Sequence, residues 1–471
     1  MYEPNWLSIL PPVLAIILAI STRQVILSLG VGIWMGFCLL EGVQPLTGVA
    51  YALDGIVAVF SDAGDSKVIM FTLMIGGLIA TIEKVGGVRG FIDFLQRRRW
   101  VQKAKHAQWL AFLIGVVVFI ESNITLLVAG AISRPLFDKY KISREKLAYI
   151  IDSTSAPICI LIPLNAWGAV VISLLASSAI ENPVEVFVGA IAFNFYALAA
   201  IGVAALVIWR DIDIGPMKAA QRRTENGLML WPGATPMVDP AIIDAHEVAS
   251  DRDKARFMLL PILVMVVGMP LGLYVTGDGD LRAGSGSTAV LWAVVAALTV
   301  AWVLVLAQGK YGVTELMQIF LRGAGGLLPV AVILLLALAM GDVASLLGTG
   351  IYIAQLVQDS LPIFMLLPLL FLVSAVIAFS IGTSWGTFAI MIPLAMQIAL
   401  PLELSASLFL AAVLSGAVFG DHASPISDTT VVASMAAATD HIDHVRTQLP
   451  YALLNGGIAL SGFLILGLVA L

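Results

Sequence analysis

Charge is what this chain has least of. Only 12% of its 471 residues are charged while 60% are hydrophobic, against about 25% and about 45–50% in a soluble domain. With a mean hydropathy of +0.99, a water-soluble globule is excluded and lipid must be part of the solvent. The net charge of -6 has no basic cluster behind it, so nucleic-acid binding lacks its electrostatic footprint. Cysteine is nearly absent: Cys38 and Cys159 lie in apolar stretches and offer neither a disulfide framework nor a zinc spacing. A membrane-embedded enzyme would need a nucleophile–base set or clustered histidines at membrane depth, and the sequence displays neither. The first apolar run, 6–20, has no basic segment before it and no small-residue cleavage site after it, so it is expected to be a retained helix.

What is there is apolar length. A crossing needs roughly 20 mostly apolar residues, and the runs 6–20, 24–40, 68–82, 186–209, 257–275, 288–307, 327–340 and 450–471 read as crossings. Four further stretches are long but interrupted. The stretch 105–133 breaks at Glu121-Ser122-Asn123, and 361–396 at Gly382-Thr383-Ser384-Trp385-Gly386-Thr387. The stretch 146–180 breaks at Asp152-Ser153-Thr154-Ser155-Ala156-Pro157, and 404–438 at Gly420-Asp421-His422-Ala423-Ser424-Pro425.

Short cytoplasmic loops are enriched in Lys and Arg. Basic residues flank 105–133 on both sides, Arg97, Arg98 and Arg99 before it and Lys139, Lys141 and Arg144 after it. One crossing between them would break the rule, so 105–133 is expected to be a re-entrant hairpin with both ends cytoplasmic. The matching stretch 361–396 is flanked only by Asp359 and Glu403 and is expected to open outside. The loop 210–256, with Arg210, Lys218, Arg222 and Arg223, reads as cytoplasmic. The expected fold is all-α and polytopic: two inverted repeats, 1–209 and 257–471, about ten crossings, two hairpins and discontinuous helices meeting at the midplane.

Unpaired backbone in hydrocarbon costs several kcal/mol per group, so such breaks persist only where protein, water or a bound solute satisfies them. Prolines that merely kink packed helices are the alternative. Acidic groups at that depth are costly and usually functional, which singles out Asp421, Asp428, Asp152 and Glu121 as ion or proton sites, with Na+ near the first three. Asp152 also reads as a simple helix cap. Further coordination is expected from Ser122, Asn123, Ser153, Thr154, Ser155, Thr383, Ser384, Thr387, His422, Ser424 and Ser427, since hard cations favour oxygen ligands. The group Asp440, His441, Asp443, His444 resembles a metal set but reads as a solvated helix terminus, at most a pH-sensing patch. No cofactor is expected beyond Na+ as the coupling or transported ion.

The run Gly420-Asp421-His422-Ala423-Ser424-Pro425-Ile426-Ser427-Asp428-Thr429-Thr430, with His441, His444-Val445, Thr447-Gln448 and Pro450-Tyr451-Ala452, resembles the signature of the NhaC family of Na+/H+ antiporters. So does Asp138-Lys139-Tyr140 with Asp152-Ser153-Thr154-Ser155-Ala156-Pro157. The resemblance implies a secondary transporter exchanging Na+ for H+ in the bacterial inner membrane, an elevator-like motion of hairpins and broken helices, and a homodimeric scaffold. Relatives of that family are similar to carriers of malate, lactate or amino acids, so a Na+- or H+-coupled carrier of a small carboxylate or amino acid is the rival reading. A channel is the less natural use of inverted repeats.

Overall fold

The structure is a computed structural model that describes residues 3–22, 24–42, 45–87, 90–91, 103–119, 122–163, 165–178, 180–236, 252–279, 284–352, 355 and 362–470. Glu121, Arg97, Arg98, Arg99, Asp359 and the 237–251 part of the middle loop lie outside the described residues.

The chain opens with α1 (Leu10–Thr22), α2 (Val25–Leu40), α3 (Pro45–Ala58) and α4 (Ala63–Lys84). Then come the hairpin pair α5 (Ala104–Val117) and α6 (Ser122–Lys139), followed by the interrupted series α7 (Arg144–Ser153), α8 (Ala156–Cys159) and α9 (Ala166–Ala176). After α10 (Pro183–Ile191) and α11 (Phe195–Arg210), a short α12 (Pro216–Glu225) lies within the middle loop. The second half holds α13 (Arg256–Thr276), α14 (Gly286–Leu306), α15 (Val313–Gly326) and α16 (Leu328–Leu346). It continues with the hairpin pair α17 (Leu366–Ile381) and α18 (Ser384–Ala399), the broken pair α19 (Ala406–Ala423) and α20 (Asp428–Ala437), and the terminal α21 (His441–Ala470). Among the described residues there is no strand.

Among the described residues eight helical segments are long and apolar enough to cross a membrane, and the protein is a multi-pass, all-α membrane protein. The sequence suggests about ten crossings besides the two hairpins. The break after Asp152 cuts the expected crossing 146–180 into short pieces, Ala166–Ala176 among them. The helices of the first two expected crossings, Trp6–Ala19 and Val25–Leu40, fall short of membrane length, while Ile363–Ile381, a leg of the second hairpin, reaches it. The second leg of the first hairpin also runs further than expected, through Pro135 to Lys139. Its end is held where the Arg144 guanidinium donates to both oxygens of Asp138, at 3.0 and 2.9 Å.

Side chains start and stop these helices where the apolar pattern changes. The Ser143 hydroxyl caps α7 by accepting the Lys146 N–H, Asn165 caps α9 by accepting that of Gly168, and Ser427 caps α20 by accepting that of Thr430. Gly382 ends α17 in the left-handed region, φ 71°, where a side chain would be strained. A Cβ there would also lie 2.6 Å from the Ile426 carbonyl oxygen, so only glycine lets the second hairpin turn against the break of α19–α20.

The two hairpins enter from opposite ends of the bundle. Pro183–Arg210 forms one membrane-length segment, and its ends serve as markers roughly 30–40 Å apart. At the Arg210 end, the Lys105 amine donates to the Trp209 carbonyl and Gln221 donates to the Lys141 carbonyl, so α5 begins and α6 finishes there. Ser407, just after the exit of the second hairpin, packs instead on Gly189 near the other end. Hairpins and interrupted helices interlock: α20 packs on α6 and α7, α18 on α9 and α19, and α17 on α19. A second set of helices packs with itself, α13 on α14, α15 and α14 on α4, and α16 on α2, whereas α10, α11 and α21 all pack on α19.

Candidate functional site

Each hairpin tip lies beside the helix break of its own half. In the first half one side chain closes the join. Asn165 Nδ2 donates to the carbonyls of Phe119 at the tip (2.9 Å) and Cys159 at the end of α8 (2.8 Å), while its Oδ1 accepts the Gly168 N–H at 3.0 Å. Backbone groups that lipid could not satisfy are thereby paired. Thr154 turns its hydroxyl back to the Ile150 carbonyl at 2.8 Å and the Ser155 hydroxyl donates to the Asp152 carbonyl at 3.1 Å, both within the break. In the second half the Ser424 hydroxyl donates to the Phe379 carbonyl at 2.7 Å, tying the break to the hairpin.

Two carboxylates are buried where these breaks converge. Asp421, 2% exposed, accepts a 2.6 Å hydrogen bond on Oδ2 from the Ser384 hydroxyl at the tip of the second hairpin. Asp152, fully buried at the end of α7, is met by side chains that all come from the second half. Its Oδ2 accepts from Gln448 Nε2 at 2.7 Å and from the Thr430 hydroxyl at 3.4 Å, with His444 Nε2 at 3.5 Å and His422 Nε2 at 3.7 Å. His422 is in turn held at Nδ1 by the Tyr196 hydroxyl, 2.7 Å away. Gln448 also donates to the His422 carbonyl at 2.8 Å, bracing the last turn of α19.

Several polar atoms in this knot are buried with no hydrogen-bond partner among the described residues: Oδ1 of both Asp152 and Asp421, Nε2 of His422 and both ring nitrogens of His444. Orphaned buried polar atoms are expensive. Several of them cluster around the two carboxylates, with the His422 and His444 Nε2 atoms facing Asp152 Oδ2 at 3.7 and 3.5 Å. Among the described residues no group of three or more His, Cys, Asp or Glu stands in metal-holding geometry.

Of the residues singled out by sequence, Asp152, Asp421, His422 and Ser384 come together, and Ser153, Ser155 and Ser427 line the same breaks, all buried. Asp428 instead opens α20 with an exposed side chain whose Oδ1 accepts the Thr429 N–H at 2.9 Å. Thr383 caps α18, and Thr387 donates back to the Thr383 carbonyl at 3.1 Å. Ser122 and Asn123 begin α6 at the first tip, and Ser122 is buried. The group at 440–444 is divided by the fold. Asp440 is a surface cap and His441 reaches the Pro425 carbonyl at 2.6 Å, whereas His444 is fully buried against Asp152. The sequence reading found no clustered histidines at membrane depth; α19 and α21 bring His422 and His444 around one carboxylate. Tyr196, Asn165, Thr430 and Gln448 had no assigned role, and His444 reads in sequence as part of a solvated helix terminus. The one available signal was spacing, since His444, Gln448 and Tyr451 share a helix face.

A family model described as the Na+/H+ antiporter family matches residues 176–468. An uncharacterized protein of Haemophilus influenzae is 33% identical, over 98% of this chain and 90% of that protein. The arginine/ornithine antiporter ArcD of Halobacterium salinarum is 30% identical over 45% of this chain and 42% of its own length. In three dimensions the chain is similar to the crystal structure of the Alcanivorax borkumensis YdaH transporter, with a TM-score of 0.61, 15% identity, and coverage of 89% of this chain and 88% of that one.

Proposed function

The chain belongs to the Na+/H+ antiporter family, and on that premise we propose that it exchanges Na+ for H+ by alternating access, using Asp421 and Asp152 as the groups that bind the ion and the proton. The observation that carries this reading is the pair of buried carboxylates, each with one oxygen engaged by protein and the other unpartnered among the described residues. Such a carboxylate balances its burial by binding a cation or a proton. Because the two compete for the same oxygens, occupation by one releases the other, which is the core of an exchange cycle. Ser384 and the breaks around Ser153, Ser155 and Ser427 supply the hard oxygen atoms that Na+ prefers. His422 and His444 add imidazole nitrogens 3.7 and 3.5 Å from Asp152 Oδ2. Asp428, exposed at the head of α20, stands on the approach to the site.

The halves 1–209 and 257–471 act as inverted repeats, a reading supported by hairpins that enter from opposite ends. Hairpins and broken helices form the moving body and the remaining helices the scaffold of a homodimer, in an elevator-like cycle. Lys105, Lys141, Arg210 and Arg222 gather at one end of the bundle, so that end and the middle loop face the cytoplasm of a bacterial inner membrane. A second reading is an exchange that includes an amino acid, favoured by the relative named an arginine/ornithine antiporter.

The test uses proteoliposomes loaded with a pH-sensitive dye and pulsed with Na+, Li+ or K+. Na+-specific proton movement that is lost in Asp421→Asn supports the proposal. A well-folded wild type that moves no protons under any cation gradient would overturn it and direct the search to arginine and related solutes.

A further inference from the structure

At the base of the first hairpin lies a cavity of about 810 Å³, bounded by the two hairpin ends, the segment after α11, and α12. Lys103, Lys105, Lys141, Lys218 and Arg222 line it, all exposed. None of these five forms an ion pair among the described residues. Three carboxylates share the lining, Asp211, Asp213 and Glu225, against six cations once Lys146 is included, so the balance is positive. Lys146, 1% exposed, holds Asp213 at 3.0 Å and Asp211 at 3.4 Å, and Glu225 accepts from Gln221 at 3.1 Å. Gln108, 4% exposed, lines the cavity with its Oε1 unpartnered among the described residues. Half a turn of that carboxamide would aim its N–H groups at a ligand.

We propose that this cavity binds a phosphate-bearing anion, its depth pointing to the headgroup of an anionic phospholipid. The excess of unpaired cations selects negative charge, and several convergent amines match the oxygens of a phosphate. Depth argues for the lipid. Lys105 bonds the carbonyl of Trp209, a residue 58% exposed whose ring carries the Arg210 guanidinium 4.7 Å from its centroid. Exposed tryptophan with a basic neighbour at a helix end marks the headgroup level of a bilayer, and basic pockets there recruit anionic headgroups. A bound phosphate would bridge the hairpin base to α12, bracing one against the other.

The experiment measures retention of dioleoyl phosphatidylglycerol by the purified protein using native mass spectrometry. It is paired with thermal unfolding in detergent containing phosphatidylglycerol, phosphatidylcholine or sodium phosphate. The variant is Lys141→Gln, Lys218→Gln and Arg222→Gln together. The control removes the same charge elsewhere, with Lys84→Gln, Lys310→Gln and Arg322→Gln. The expected result is phosphatidylglycerol binding weakened at least roughly tenfold in the cavity variant and little changed in the control. Stabilisation by sodium phosphate equal to that by the lipid, and lost in the same variant, would support the phosphate chemistry with a soluble source. Equal retention by wild type, variant and control, with no phosphate effect, would overturn the proposal.

Discussion

Gln448 donates through Nε2 to Oδ2 of Asp152 at 2.7 Å, joining residues 296 positions apart in the chain. A carboxylate of the first half is thus held by an amide of the last helix, so the site exists only when both halves are assembled. Asp152→Asn is expected to abolish coupled exchange while the protein still purifies as a folded species, because the amide keeps the shape but cannot carry the charge. Gln448→Leu is expected to lower the rate at least roughly tenfold, since a hydrogen bond to a charged group is worth about 1.5–3 kcal/mol. Proton flux in proteoliposomes, read beside thermal unfolding, separates the two effects.

Ser384 is the contact between the second hairpin tip and Asp421, at 2.6 Å. Ser384→Ala should weaken apparent Na+ affinity by roughly tenfold to a hundredfold, from a loss of about 1.5–3 kcal/mol. A Na+ titration of transport is the check; an unchanged half-saturation would remove the tip from the site.

Gly382→Ala places a Cβ 2.6 Å from the Ile426 oxygen at a residue with φ 71°. Strain at such a position costs on the order of 1–3 kcal/mol. The hairpin should be displaced from the break, with transport falling further than global stability.

Glu145 and Arg223 form a bidentate pair at 2.6 and 3.0 Å that fastens α12 to α7, the side chains 0% and 4% exposed. Removing one partner leaves a buried charge and costs roughly 3–5 kcal/mol. Arg223→Met alone should therefore lower the unfolding temperature clearly, and adding Glu145→Met should recover much of the loss. A double variant no better than the single would assign the effect to lost packing.

Asp440 is an acid whose pH effect has a definite sign. Partial burial works to raise its pKa, but N–H groups of Thr235, Asp443 and Ile442 donate to it and hold the carboxyl below its ordinary range. Its stabilisation is then fully present above the unfolded value, about 3.9, and is lost as pH falls through the lower folded value. Asp440→Ala should cost about 1 kcal/mol near neutral pH. The gap from wild type should narrow as pH falls through that lower folded value, as melting curves across pH would record.

Much of the architecture was legible in one dimension. Apolar run length reports crossings because a bilayer has fixed thickness. The breaks were readable because Asp, Ser, Thr and Pro at that depth conflict with both helix and lipid, which is how Asp152, Asp421 and Ser384 were singled out. The first hairpin emerged from the basic residues on both its flanks. His444 was misjudged for a physical reason: it lies three residues into a helix from a solvated cap, and sequence distance from a polar end says nothing about which neighbour covers it. Asp428 is adjacent in sequence to the buried break yet is turned outward by the first turn of α20, which sequence adjacency does not report.

The sequence by itself determined the solvent, the crossings, the places where helices must break and the residue types waiting there. Those follow from local transfer free energies, which depend on composition and spacing along the chain. Only the tertiary structure decided which atoms meet: Gln448, His444, His422 and Thr430 around Asp152, Ser384 on Asp421, and Asn165 across three backbone segments. Those pairings depend on how helices distant in sequence pack together, and packing is a property of surfaces that no single stretch of the chain contains.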